Sequence, residues 1–457
     1  MTVSLPRITY ARRLGLFSAT MAVIGGIIGS GVFLGPEVVA ARVGTAGRTL
    51  AAWVVGGIIA LAGAFCFGEL GARRPRAGGG YVYLRDAFGP LPAFLYGWAL
   101  LLVVATGATA AVAVTFARYA VLVTGLSPRT TLPVAIGAIV LLSGVNYRGV
   151  APAARTQNVF TLLKLAALAA LIVAGLVVHP AAHADPAAAG LAPTGEPRAL
   201  VVSLGAALVP VLFAYGGWQQ TNFIAEELIA PEQNLARALG WGVTGVVVVY
   251  VLANLAYLRV LGAAGLATST APAADVMTSL LGPTGRRLIS AGIAVSTFGF
   301  LNLVILVTPR VFQAMAADGV FLERLAALHP TYRTPSGAIV LMGAWSIVLA
   351  LSGTYAQLLD YVVFGDWIFF GLTVASLFIF RARDGSGGGE DPATLDGAAP
   401  RYRVPAYPWT PLVFVLAAAY VVASSIGANP RNAGVGAGLL ALGVPAYWLF
   451  HRPQRRR

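Results

Sequence analysis

Charge is what this sequence has least of: aspartate, glutamate, lysine and arginine make up 11% of its 457 residues, against 58% hydrophobic residues. A water-soluble domain needs roughly a quarter of its residues charged to dress its surface, so an ordinary soluble fold is excluded. Cysteine is almost missing too. Cys66 stands alone inside an apolar run, which rules out an internal disulfide and points to a buried, inert thiol. The four histidines are scattered and form no metal constellation, and two of them, His179 and His183, lie at or near a loop. Neither metal nor cofactor is expected. An intramembrane enzyme would need a dense set of nucleophiles, histidines or paired carboxylates in its apolar stretches, and a membrane sensor a soluble output domain. The chain shows neither. Lysine is the rarest charge of all: Lys164 is the only one, beside thirty arginines.

What fills the chain instead is apolar sequence, with a mean hydropathy of +0.79. Runs of about 20 apolar residues, each long enough to cross a hydrocarbon core of roughly 30 Å as a helix, recur from end to end. They fall near 16–40, 49–70, 91–117, 131–147, 157–179 and 199–228, then near 239–261, 286–314, 337–352, 357–380, 410–427 and 433–450. The expected fold is an all-α integral membrane protein of 12 transmembrane helices. The first run is too long and too glycine-rich for a secretory signal, shows no small-residue cleavage site, and reads as a mature helix.

The basic residues orient these spans. Assigning the termini and every even-to-odd connection to one side puts 21 of the 31 basic residues there, against 7 on the other. The positive-inside rule then places both termini in the cytoplasm, with the protein in the cell (inner) membrane. The net charge of +14 is an orientation signal and an attraction to anionic lipid. Arginines scattered over loops, rather than gathered on one face, argue against a nucleic-acid partner. The stretch 180–198 reads as an Ala/Pro-rich external loop, and 381–409 as a flexible linker. Residues 1–457 are expected to form a single transmembrane domain, with one set of spans at about 16–179, a second at about 199–380 and accessory helices at about 410–450.

Two spans stand apart. IGGIIGSGVFLGP (Ile24 to Pro36) carries glycines at 25, 26, 29, 31 and 35, and LFAYGGWQQ (Leu212 to Gln220) carries Gly216 and Gly217 side by side. Such glycines serve close helix packing in many membrane proteins. Here, however, each cluster lies near mid-membrane, and each opens a five-helix set. An odd number of spans per set inverts the second repeat, and matching interruptions in inverted repeats point to a transporter's central site. Unwinding a helix there frees backbone groups that lipid cannot satisfy. Freed N–H groups at a half-helix N-terminus attract a carboxylate; freed carbonyls attract an ammonium. The ligand that fits is an amino acid. The N–H groups of Ser30 and Gly31, with the Ser30 hydroxyl beside Gly29, are the carboxylate candidates. The carbonyls of Ile27, Phe213 and Ala214 are the ammonium candidates, with Gly216 at the break and Phe213 and Trp218 placed to close over the ligand.

Ionisable residues inside spans come next. Lys164 sits some seven residues into the fifth span, roughly 10 Å deep at 1.5 Å per residue, too deep for easy snorkelling. It must pair or shed its proton, unless it serves only to hold helices together. Glu69 is expected to pair with Arg73 or Arg74. Glu226 and Glu227 end the sixth span, as gate or solvated helix end. Asp366 touches the cavity or pairs with Arg118. Tyr250 and Asn254, one turn apart, form a polar stripe on one helix face.

These residues resemble the amino acid–polyamine–organocation superfamily, most closely its L-type amino-acid transporters and their bacterial relatives. GGIIGSGVF is similar to the first-helix signature, and FAYGGWQQTNFIAEELIAPEQNLARAL to the sixth helix and following loop of the L-type branch. VNYRGVAPAARTQNVFTLLKLAAL resembles the fourth-to-fifth helix region, VYVLANLAYL the seventh helix, and STFGFLNLVILVTPRVFQAMAADGVFLERLAALHP the eighth. The resemblance covers about 15–450. It implies a LeuT-like 5+5 inverted repeat plus two extra helices, substrate held by the first and sixth helices, a gate at Phe213, and alternating access without sodium. Lys164 matches the family lysine that occupies the second sodium position, with Tyr250 supporting it and Ser296 supplying a hydroxyl nearby. Two departures matter. The loop 124–131 lacks the cysteine that joins animal light chains to a heavy chain, so no disulfide-linked heavy chain is expected. Gln219 follows Trp218 where asparagine is frequent, which bears on side-chain specificity. The expected function is a sodium-independent antiporter of neutral L-amino acids, since no acidic residue clearly lines the pocket apart from the open case of Asp366. A proton-coupled symporter of broader specificity is the alternative.

Overall fold

The computed structural model describes residues 9–178, 197–353, 355–385, 402–428 and 430–451. Most of the proposed external loop, most of the proposed linker and the last six residues lie outside the described residues.

The described residues are helical, in the order α1 (Leu16–Ile27), α2 (Gly31–Leu34), α3 (Pro36–Val43), α4 (Ala46–Arg73), α5 (Gly80–Phe88), α6 (Pro90–Ala99), α7 (Ala105–Thr124), α8 (Thr131–Tyr147) and α9 (Val150–Val177). The second half holds α10 (Pro197–Ala214), α11 (Pro231–Thr268), α12 (Pro272–Val307), α13 (Pro309–Ala317), α14 (Ser336–Ser352), α15 (Tyr355–Gly385), α16 (Trp409–Ala428) and α17 (Pro430–Phe450). Each apolar run read from sequence contains helix. Among the described residues, nine helical segments are long and apolar enough to cross a membrane, with Leu16–Ile27 and Ser336–Ser352 as shorter apolar helices. The ends differ from the sequence reading because helices run on past the hydrocarbon. The run at 239–261 ends where α11 is broken at Gly262 (φ +68°), and the run at 286–314 begins after the break of α12 at Gly282 (φ +61°) and continues into α13.

The outer surface confirms what the helices face. Ile58, Leu141, Trp241, Leu288 and Leu449 are among the large apolar side chains more than half exposed. Water would penalise each by about 1.5–3 kcal/mol relative to burial; lipid does not. The molecule is a multi-pass membrane protein.

Inside, α11 lies along α4, α12 packs on α7 and α9, and α1 touches α9, α11 and the 3-10 segment Trp218–Glu227. Thus α1 is enclosed by the long helices, and eight of its residues are buried. A π-helical turn, Leu100–Val104, interrupts the run between α6 and α7. The Thr106 hydroxyl donates to the Leu101 carbonyl at 2.6 Å, taking up a group that the widened turn displaces.

Candidate functional site

Both glycine-rich runs are broken helices. The first stops at Ile27, where Ile28 turns extended (φ −75°, ψ 91°), and restarts at Gly31. The second stops at Ala214, and Gly217 adopts φ +109° before the 3-10 segment begins. The breaks meet backbone to backbone. A Cβ at Gly217 would collide with the Gly26 carbonyl oxygen, and one at Gly26 would come within 2.9 Å of the Gly217 oxygen. Gly31 lies equally close to Ala214, whose Cβ would be 3.0 Å from an added methyl. Glycine here serves both close approach and unwinding, so the two readings of these clusters are one.

The carbonyls released at the first break are met by side chains from three other helices. Lys164, fully buried on α9, donates from Nζ to Gly25 O at 3.1 Å and Ile28 O at 2.6 Å. Ser296 on α12 donates to Ile28 O at 3.3 Å or Gly29 O at 3.2 Å. Tyr250 on α11 donates its single hydroxyl proton to Ile27 O at 3.1 Å or Ala214 O at 3.3 Å, and so stands between the two breaks. A cation at the C-terminal end of a helix also meets the negative pole of its dipole. Lys164 has no carboxylate partner among the described residues. It caps α1.

Beside the breaks lies a cavity of about 170 Å³. One wall is formed by Ile27, Gly29, Ser30 and Gly31, and by Phe213, Ala214 and Gly216. The rest comes from Tyr96 on α6, the π turn, α7, the 3-10 segment, α12 and α15. Among the described residues, no acceptor meets the N–H groups of Ser30 and Gly31 or the Ser30 hydroxyl. Phe213 lines the cavity and is 44% exposed.

The structure corrects some sequence expectations and decides between the alternatives in others. Trp218 does not line the cavity. It is buried behind it against Phe67 at 5.0 Å and Phe414 at 6.0 Å between ring centres, because the 3-10 twist turns it towards α4 and α16. The Ile27 carbonyl already accepts from Gly29 N–H and competes with Ala214 O for the single Tyr250 proton, which makes it the most heavily engaged of the three ammonium candidates. Those of Phe213 and Ala214 each meet one protein donor, Gly216 N–H and Tyr250 OH, and keep one lone pair. Glu69 pairs with Arg73 and Arg381, whereas Arg74 reaches Asp86. Glu227 forms a buried pair with Arg310 at 2.8 Å, and Glu226 accepts from Ala77 N–H at 3.2 Å; neither is a solvated helix end. Asp366 lines the cavity and is not paired with Arg118. The Asn254 amide donates to the Tyr250 carbonyl at 2.8 Å, within its own helix.

Sequence reading missed a polar chain behind α1. Asn146 donates to Asn302, Asn302 to Gln157, Gln157 to Thr161, and Thr161 to the Met21 carbonyl, at 3.0–3.2 Å throughout. The signal was there: four polar side chains in otherwise apolar runs. Their convergence was not, since they come from α8, α9 and α12. The end of the bundle carrying the N-terminal segment is closed by further contacts. Arg13 and Leu14 donate N–H groups to the Glu227 carbonyl at 2.9 and 3.0 Å, and Arg85 and Tyr81 both bind Asp318. Burial lowers the Arg85 pKa, but the Asp318 and Asp86 carboxylates outweigh it, and the guanidinium stays charged.

A family model described as amino acid permease matches residues 14–449. The chain is 32% identical over 454 residues to the large neutral amino acids transporter small subunit 2 of Mus musculus, covering 97% of this chain and 82% of that protein. It is 30% identical to the human cystine/glutamate transporter, over 97% of this chain and 86% of the other. It is 32% identical to the mouse b(0,+)-type amino acid transporter 1, over 81% and 76%. The family description and these relatives are of transporters rather than enzymes. The chain belongs to the amino acid permease family, as its resemblance to the L-type transporters implied.

Proposed function

We propose that this protein is a sodium-independent antiporter of L-amino acids, neutral ones among them, that works by alternating access. The observation that carries the reading is the asymmetry at the first break. Its carbonyls are capped by Lys164, Tyr250 and Ser296, while the N–H groups of Ser30 and Gly31 stay open to the cavity. The substrate carboxylate docks on those N–H groups and the Ser30 hydroxyl, where the dipole of the restarted helix favours an anion. Its ammonium takes the remaining lone pairs of Phe213 and Ala214, and Phe213 closes over the bound molecule. A lysine ammonium stands where a cation would otherwise organise the same carbonyls, so no sodium ion is needed for the site to hold its shape. Lys164, Tyr250 and Ser296 couple substrate occupancy to the packing of α1 against α9, α11 and α12.

The protein sits in the cell (inner) membrane with both termini in the cytoplasm, and it works without a disulfide-linked heavy chain. The test is exchange in proteoliposomes. Vesicles loaded with leucine should take up external leucine equally well in sodium and in choline buffer, and empty vesicles should not. Uptake into empty vesicles under an imposed pH gradient would replace exchange by proton symport, and a requirement for sodium would sink the reading.

A further inference from the structure

Asp366 is the one acidic side chain among the described residues that line the cavity, and it forms no ion pair or hydrogen bond with any of them. A second acceptor nearby is also unused: Gln220 Oε1 is buried without a hydrogen bond. Tyr96 packs against the segment of each. Its ring lies 5.1 Å from that of Phe369 and 6.5 Å from that of Phe223, between centres. Phe369 follows Asp366 by three residues on α15, and Phe223 follows Gln220 by three on the 3-10 segment. At those spacings each pair shares a face, and Asp366, Gln220 and Tyr96 all line the same cavity. Trp367 and Phe370 complete an aromatic surround.

A carboxylate among aromatic walls is costly while unpaired. A neutral side chain entering this space leaves it unpaired, and an anionic one adds repulsion. A cationic group removes the cost. It has only donors to offer, matching two free acceptors. Low local dielectric strengthens its attraction to the carboxylate, and aromatic faces attract it further. We infer that this end of the cavity is the side-chain subsite, and that Asp366 extends the substrate range from neutral amino acids to those whose side chain ends in an ammonium or guanidinium. The inference rests on the antiporter reading. It takes up the case of Asp366 that the sequence reading left open when it favoured neutral substrates.

Free lysine and norleucine share one carbon chain and differ by the terminal ammonium, so they isolate the contact. In leucine-loaded proteoliposomes the wild type should exchange lysine more efficiently than norleucine by about ten- to hundredfold, the range of a hydrogen bond to a charged group. Asp366→Asn should reverse that order, with norleucine exchange rising once the buried charge is gone. Asp366→Glu should keep a reduced preference for lysine. Equal handling of the two substrates by the wild type, or an unchanged ratio in Asp366→Asn, overturns the inference. So does a loss of pH-driven uptake with the ratio intact, which would assign the carboxylate to proton coupling. Thermal stabilisation by each amino acid separates the two layers of the argument. Lysine-specific stabilisation that Asp366→Asn removes, in a protein that exchanges nothing, would end the antiporter reading and keep the subsite. No stabilisation and no exchange would end both.

Discussion

The Nζ of Lys164 lies 2.6 Å from the carbonyl oxygen of Ile28, 136 residues earlier in the chain. The only lysine in the sequence thus stands at the open end of α1, where a helix leaves acceptors without donors. Lys164→Ala should abolish exchange and lower the thermal unfolding midpoint, since two buried carbonyls each lose a donor at about 1–2 kcal/mol. Lys164→Arg should fail as well. The Gly299 position leaves only 3.3 Å between an added Cβ and the lysine Cε, and a planar guanidinium is bulkier than an ammonium. Full exchange by either variant would return the lysine to simple helix adhesion.

Gly217→Ala tests the contact between the breaks. The new methyl meets the Gly26 carbonyl, and the φ of +109° is strained for any L side chain. Neither backbone can yield without moving its half-helix, so leucine exchange should fall to background. Gly47→Ala, with open space around the added methyl, should leave exchange intact. Equal activity in the two variants would mean that the breaks need not touch.

Tyr250→Phe removes the hydroxyl that stands between Ile27 O and Ala214 O but keeps the ring packed on Trp53 and Tyr215. One hydrogen bond is worth about 0.5–1.5 kcal/mol net, so the KM for leucine should rise by up to about tenfold. Thermal stability should change little. A fall in stability with an unchanged KM would make the hydroxyl structural only.

The Glu227–Arg310 pair is buried on both sides, at 1% and 0% side-chain exposure. Arg310→Met alone leaves an unpaired buried carboxylate and should destabilise the protein by about 3–5 kcal/mol. Glu227→Gln combined with Arg310→Met should recover most of that loss, as read by thermal unfolding in detergent. A double variant no better than the single one would show that the two side chains act independently.

The sequence by itself determined the class and the places where the two helices break. Apolar runs of membrane length leave few alternatives once charge is so scarce, and unwinding glycines are visible because position along a span measures depth. Ser30, Gly31 and Phe213 could be named from chain position alone for that reason, and Lys164 because a deep charge in an apolar run stands out. What the sequence could not determine was which groups meet. Trp218 was read as part of the pocket because it adjoins the break, yet a 3-10 segment advances about 120° per residue, and one residue beyond the turn the side chain points away. The pairing of Glu227 with Arg310, the polar chain from Asn146 to Met21 and the shared cavity of Asp366 and Gln220 all join helices far apart in sequence. Periodicity reports which face of a helix is polar, not which neighbour that face meets. Only the packing of α9, α11 and α12 around α1 decided that the lone lysine would cap a broken helix, because three-dimensional approach, unlike hydropathy, is not a local property of the chain.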